Sequence, residues 1–150
     1  LMDRQAAKEK ARREREAKRR MEQTKKAMSE IFKENKDCKD AFQIKGKGLL
    51  LVVPKTADEI KAEGAALHHC VGGYVDRVAR GETNIFFVRK STEPDKPYFT
   101  MEWNNNHIIQ CRGSHNCGMP PEVEAFVKAF EKKMQDTINE NKEKEMRRCG

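Results

Sequence analysis

The segment Leu67-His68-His69-Cys70-Val71-Gly72-Gly73-Tyr74 puts a thiol beside two imidazoles and follows them with two glycines and a tyrosine. A cysteine nucleophile needs a depressed pKa, which a neighbouring imidazolium or a helix N-terminus supplies, and a third group that orients the base. Cys70 with His69 meets the first need, and Glu102 is the candidate third group. Adjacent helical residues point about 100° apart, so His69 and Cys70 are not expected to bond each other if the segment is helical. The partners of the motif must then come from elsewhere, and Glu102, Gln110 and Arg89 form a suitable polar set if the sheet that carries them covers it. The plainer reading is a small buried Cys70, since cysteine is among the most buried residue types.

Two further chemistries are weighed on the same residues. Zinc could draw on His69, Cys70, Cys111, His115 and Cys117, but Cys111-x3-His115-x-Cys117 is not a usual knuckle spacing, so no metal or other cofactor is expected. Gly72 and Gly73 before Tyr74 could form a backbone nest for an anion, or simply a kink between helical pieces.

A different signal lies at the N-terminus. Residues 1–26 hold eleven Lys/Arg against five acids and so carry +6 of the net +7. Arg12, Arg13, Arg19 and Arg20 are suited to neutralising phosphates, which makes nucleic acid the expected partner, mostly without sequence preference. The interleaved Glu9, Glu14, Glu16 and Glu22 also suit a solvated, salt-bridged helix, or a handle for a protein partner.

The rest of the chain must position these groups. The 150 residues suffice for one ordinary domain, and the mean hydropathy of −0.93 owes much to the charged N-terminus. No run of about 18 apolar residues exists and no signal-peptide core is present, so a cytoplasmic protein without membrane contact is expected. Five cysteines without a repeated CxxC spacing suit free thiols in a reducing compartment. Leu1 precedes Met2, which is compatible with a piece of a longer protein.

From Leu1 to Asn35 strong helix formers run without proline or glycine, and Met21, Met28, Ile31 and Phe32 give the second half a docking stripe. Residues 41–54 suggest a hairpin. Thr56 and Glu59 make a capping box for a short helix weakened or ended at Gly64, and two further helical pieces are expected up to a stop at Gly81. Strands follow at 84–90, 98–103 and 107–112. A three-residue loop, Asn104-Asn105-Asn106, would set Trp103 opposite His107 and give one face Phe99, Met101, Trp103, Ile109 and Cys111. The other face would carry Thr100, Glu102, Ile108, Gln110 and Arg112, whereas a two-residue turn would mix polar and apolar side chains. Val123, Phe126, Val127, Phe130 and Met134 then mark an amphipathic helix, with a fraying charged tail beyond Asn139.

With these segments laid out, Pro54-Lys-Thr-Ala-Asp-Glu-Ile60, Glu63-Gly64, the Leu67–Tyr74 motif and Gly81-Glu-Thr-Asn-Ile85 appear in order. Val88-Arg89, Pro94-Asp-Lys-Pro97, Thr100-Met-Glu102, Ile109-Gln-Cys-Arg-Gly113, Asn116 and Glu122-Val-Glu-Ala-Phe126 continue the series. Over about ninety residues this order resembles the PcfJ-like family, proteins encoded by conjugative plasmids, phages and related mobile elements. The resemblance leaves the basic helix largely outside, implies a mobile-element context and brings no established activity.

The expected fold is α+β, an antiparallel sheet of about four or five strands with helices on one face, preceded by a long basic helix. The expected organisation is a basic helical extension at 1–35, the PcfJ-like domain at 36–136 and a charged tail at 137–150. The leading function is an accessory binding module acting on nucleic acid or a nucleoprotein, with Tyr74, Arg89, Gln110 and Asn116 as binding residues beside the four arginines. Alternatives are a cysteine-dependent enzyme using Cys70 with His69 and Glu102, and an inhibitor of a host nuclease complex of anti-CRISPR type.

Overall fold

Uninterrupted helix formers give α1, Arg4–Lys33, capped by the Asp3 carboxylate, which accepts from the Gln5 amide. In the computed structural model, which describes residues 3–34, 41–44, 46–69 and 73–149, only the second half of α1 is buried, through Thr24, Ala27, Ile31 and Phe32. Five strands follow as an antiparallel meander with neighbours in chain order. They are β1 (Ala41–Gln43), β2 (Leu49–Val52), β3 (Asn84–Lys90), β4 (Phe99–Asn104) and β5 (His107–Arg112). Helices α2 (Ala57–Leu67) and α3 (Val75–Ala79) join β2 to β3, and α4 (Pro121–Cys149) closes the chain.

The period of two along the strands divides the side chains between two cores, so the helices cover both faces and not one as expected. Phe86 and Val88 of β3 join Leu51, Met101, Trp103 and Cys111 under α1 and α4. Ile85 and Phe87 point the other way and pack with Ile60 of α2 and with Val75 and Val78 of α3. Phe130 of α4 is central to the larger core, its ring centroid 5.2 Å from Phe42, 5.4 Å from Phe86 and 5.8 Å from Trp103. Each such edge-to-face contact adds about 0.5–1.5 kcal/mol beyond burial.

Helix α4 continues through the segment expected to fray. Ile138 and Asn141 extend its buried stripe, Asn141 Nδ2 donates to Glu30 Oε2 at 3.2 Å, and Lys133 pairs with Glu34 at 3.5 Å. The charged composition of this stretch concealed that α1 runs alongside to receive it.

The β4–β5 register departs from expectation in an instructive way. Asn104 pairs with His107, so the turn has two residues, Asn105 and Asn106, both with positive φ (51° and 64°). That is the type I′ pattern whose twist suits a hairpin. Trp103 then pairs with Ile108, but Glu102 pairs with Gln110, leaving Ile109 as an extra, bulged residue that is 52% exposed. The bulge restores the phase that a two-residue turn alone would have lost. Met101 and Cys111 share the core side, Thr100, Glu102, Gln110 and Arg112 share the other, and Ile108 and Ile109 exchange the places expected of them.

Candidate functional site

The end of α2 determines where the histidines go. Thr56 Oγ1 accepts from the Glu59 amide at 3.2 Å, and the Glu59 carboxylate accepts from the Lys55 amide at 2.7 Å, so the helix is firmly started. Gly64 does not end it. The helix runs on to Leu67, where His68 turns left-handed (φ 53°), the His68 amide donates to Ala65 O and the His69 amide donates to Gly64 O. These two bonds are a Schellman cap with histidine where glycine is usual. His69 is therefore not helical, and the 100° argument does not apply to it. Cys70 and Gly72 lie outside the described residues.

From this cap His69 reaches the sheet. Its Nε2 stands 3.1 Å from Thr100 Oγ1, and burial lowers its imidazole below the ordinary 6.5, partly offset by a hydrogen bond with its own backbone. The ring is thus predominantly neutral at neutral pH. It borders a cleft of about 160 Å³ formed over β4 and β5, with Tyr74 and Ile85 on one side and Asn116 on the other.

Glu102 is the buried charge of the cleft, only 4% exposed, and three groups hold it. Thr83 donates to Oε2 at 2.7 Å, Arg77 Nη1 lies 3.5 Å from the same oxygen, and Gln110 Nε2 donates to Oε1 at 3.1 Å. Gln110 Nε2 also donates to Tyr74 Oη at 3.0 Å, leaving the phenol proton free to donate. The Arg77 guanidinium sits 5.3 Å over the Tyr74 ring, which links α3 to the carboxylate by charge and by stacking. At the mouth, the side chains of Arg112 and Asn116 are exposed and make no hydrogen bond or ion pair among the described residues.

His69, Tyr74, Glu102, Gln110 and Asn116 thus line one cleft. Glu102 does not hydrogen-bond His69, whose Nε2 is directed to Thr100 instead, so a carboxylate–imidazole relay is not formed. Arg89 is elsewhere. Its Nη2 meets Glu63 Oε2 at 2.5 Å, its Nη1 donates to Pro94 O at 3.2 Å, and its guanidinium lies 5.0 Å over Phe87. It fastens α2 to the sheet, because a carboxylate only 2% exposed requires an opposite charge.

The four arginines of α1 are remote from the cleft. Arg12 is tied to Glu9 and to Glu16, Arg13 and Arg19 are exposed, and Arg20 is half-buried beside Asn104 and Asn105, its Nε without a partner among the described residues. The zinc pool is divided by the sheet. Cys111 faces the large core, where burial pushes its thiol up to about 12, whereas His115 and Cys117 are exposed. The His115 ring stacks on His68 at 4.7 Å, and among the described residues no group of three or more His, Cys, Asp or Glu side chains is placed to hold a metal ion.

Sequence reasoning assigned no site role to Arg77, Thr83, Thr100 or Arg112. Thr100 and Arg112 were legible, since they flank Glu102 and Gln110 at a spacing of two on the same face. Arg77 and Thr83 were not, because nothing along the chain links them to residue 102. Gly113 explains itself sterically. A Cβ there would stand 2.8 Å from the Phe99 ring and 3.0 Å from Cys117 Sγ, so glycine lets β5 exit toward the Ser114–Asn116 turn.

Among known proteins, one from Listeria innocua serovar 6a, itself uncharacterized, is 46% identical over 68 residues. That match covers 44% of this chain but 15% of the relative, so the similarity spans a small part of that longer protein. No solved structure matches. No helix among the described residues is long and apolar enough to cross a membrane. The PcfJ-like protein model matches residues 3–127, from the Asp3 cap of α1 through the cleft to the first turns of α4, so the whole basic helix lies within the family match and not largely outside it as the resemblance suggested. The chain belongs to the PcfJ-like protein family.

Proposed function

We propose that the chain is an accessory binding module of a mobile genetic element, acting on nucleic acid or a nucleoprotein, with α1 as its contact surface. The observation that carries this is the arrangement of charge on α1. Arg4, Lys8, Arg15, Arg19 and Lys26 recur at helical spacing on the side away from Thr24, Ala27 and Ile31, and all five are exposed. They span roughly 33 Å at 1.5 Å per residue, long enough to follow several phosphates. Among the described residues no carboxylate partner is bonded to any of the five, in contrast to Arg12.

The test is binding to duplex and single-stranded oligonucleotides over a salt series. Up to five phosphate contacts give a log–log slope approaching about −4, and an R15E/R19E double variant should weaken binding and flatten the slope by about 2. Absence of binding at low salt, or an unchanged slope in the variant, overturns the proposal.

The enzyme reading has one supporting observation, that His69 and Glu102 border the same cleft and His69 precedes Cys70 in sequence. An activated thiolate at Cys70 would label with an apparent pKa well below about 8. Ordinary, slow labelling removes that reading.

A further inference from the structure

We propose that the cleft over β4 and β5 is a mononucleotide site that prefers guanine, in which Glu102 accepts from the base and Arg112 at the mouth holds the attached phosphate. This goes beyond the reading of α1 and does not depend on it.

The charges come first. Glu102 and Arg77 form a pair at 3.5 Å, and Arg112 adds an exposed cation without a partner among the described residues. His69 is predominantly neutral at neutral pH, because burial lowers its pKa, and Gln110 carries no charge. The cleft therefore carries an excess positive charge at its mouth and a carboxylate at its base, which suits a ligand with N–H donors at one end and an anion at the other. A nucleoside monophosphate has that polarity.

The donors come second. Glu102 Oε1 accepts from Gln110, and Oε2 accepts from Thr83 beside Arg77, so the carboxylate is fixed before any ligand arrives. Each oxygen retains lone-pair capacity. Guanine presents N1–H and the N2 amine side by side and can meet both carboxylate oxygens. Uracil presents a single N–H between two carbonyls, which would oppose the carboxylate. The Tyr74 hydroxyl proton and the side-chain amide of Asn116, without a partner among the described residues, stand by for the remaining base or sugar oxygens. Ile85 gives the cleft an apolar wall against which a flat base can rest, and about 160 Å³ admits a single base but not a stack.

The experiment is calorimetric titration of the full chain with GMP, UMP, guanosine and inorganic phosphate. GMP is expected to bind at least tenfold more tightly than UMP and than phosphate alone. Glu102→Gln should abolish that preference. Because Glu102 is buried, this variant is checked for folding by circular dichroism, and Arg112→Ala at the exposed mouth provides an independent reading. Arg112→Ala should weaken GMP at least fivefold and leave guanosine within twofold. No binding of GMP, equal binding of GMP and UMP, equal binding of phosphate alone, or an Arg112→Ala variant with unchanged GMP affinity overturns the proposal.

Discussion

The Gln110 amide reaches the Glu102 carboxylate at 3.1 Å because Ile109 is bulged out of β5. Counting in strict alternation from Asn104↔His107 would place Gln110 opposite Met101 and turn it into the core. The bulge moves one residue out of the ladder, so the β4–β5 turn and the polar cleft become parts of one device. A two-residue turn supplies the twist and a bulge supplies the phase.

The turn should therefore be sensitive in a specific way. Asn106 sits at φ 64°, where asparagine and glycine are tolerated and alanine is disfavoured by about 1 kcal/mol. Asn106→Ala should lower stability by about that amount in urea unfolding, while Asn106→Gly should equal or exceed the parent protein. An equal loss in both variants would mean that the side chain, and not the backbone conformation, matters here.

Thr83 has a role that its place before β3 does not advertise. It is 1% exposed and donates to Glu102 Oε2 at 2.7 Å, a bond to a charged acceptor in a buried setting. Thr83→Val keeps the shape and removes the donor, so it should cost about 1.5–3 kcal/mol by chemical denaturation. Thr83→Ser should retain most of the stability. A Thr83→Val protein as stable as the parent would show that Arg77 and Gln110 alone hold the carboxylate.

Glu63 and Arg89 offer a test by pH. Burial pushes Glu63 up from the ordinary 4.5 to about 7, with the Arg89 charge and its hydrogen bond pulling in the other direction. A carboxyl whose folded pKa exceeds its unfolded one contributes stability that is complete below about 4.5 and is lost as pH rises through about 7. Its full size is at most about 3 kcal/mol. His69 has the opposite sign, since its lowered pKa costs stability at acid pH that is regained as pH rises towards 6.5. Comparing the parent with Glu63→Gln cancels the histidine. The parent should lose stability relative to the variant between pH 5 and pH 8, even though the variant is weaker overall because Arg89 loses its counter-charge. Parallel stability profiles would show that the pair stays ionised throughout.

The sequence by itself determined the main helices, a sheet of four or five strands, and the sharing of a face by Thr100 with Glu102 and by Gln110 with Arg112 within each strand, while the bulge at Ile109 decided that the two pairs meet. Those properties are local, since helix formers without glycine, a period of two and a capping Thr56 act within a few residues. It also singled out His69, Tyr74 and Asn116, whose types and order stand out along the chain. Only the tertiary structure decided that α4 stays helical to Cys149, because that required α1 as a neighbour. It alone decided that α2 and α3 lie on the face opposite α1 and α4. It separated Arg89 from the cleft by giving it Glu63, and supplied Arg77 and Thr83 to hold Glu102. The division has one physical cause. Propensity and periodicity are read along the chain, whereas a buried charge takes whichever partner the packing brings within about 3 Å, and that partner leaves no mark on the sequence around the charge.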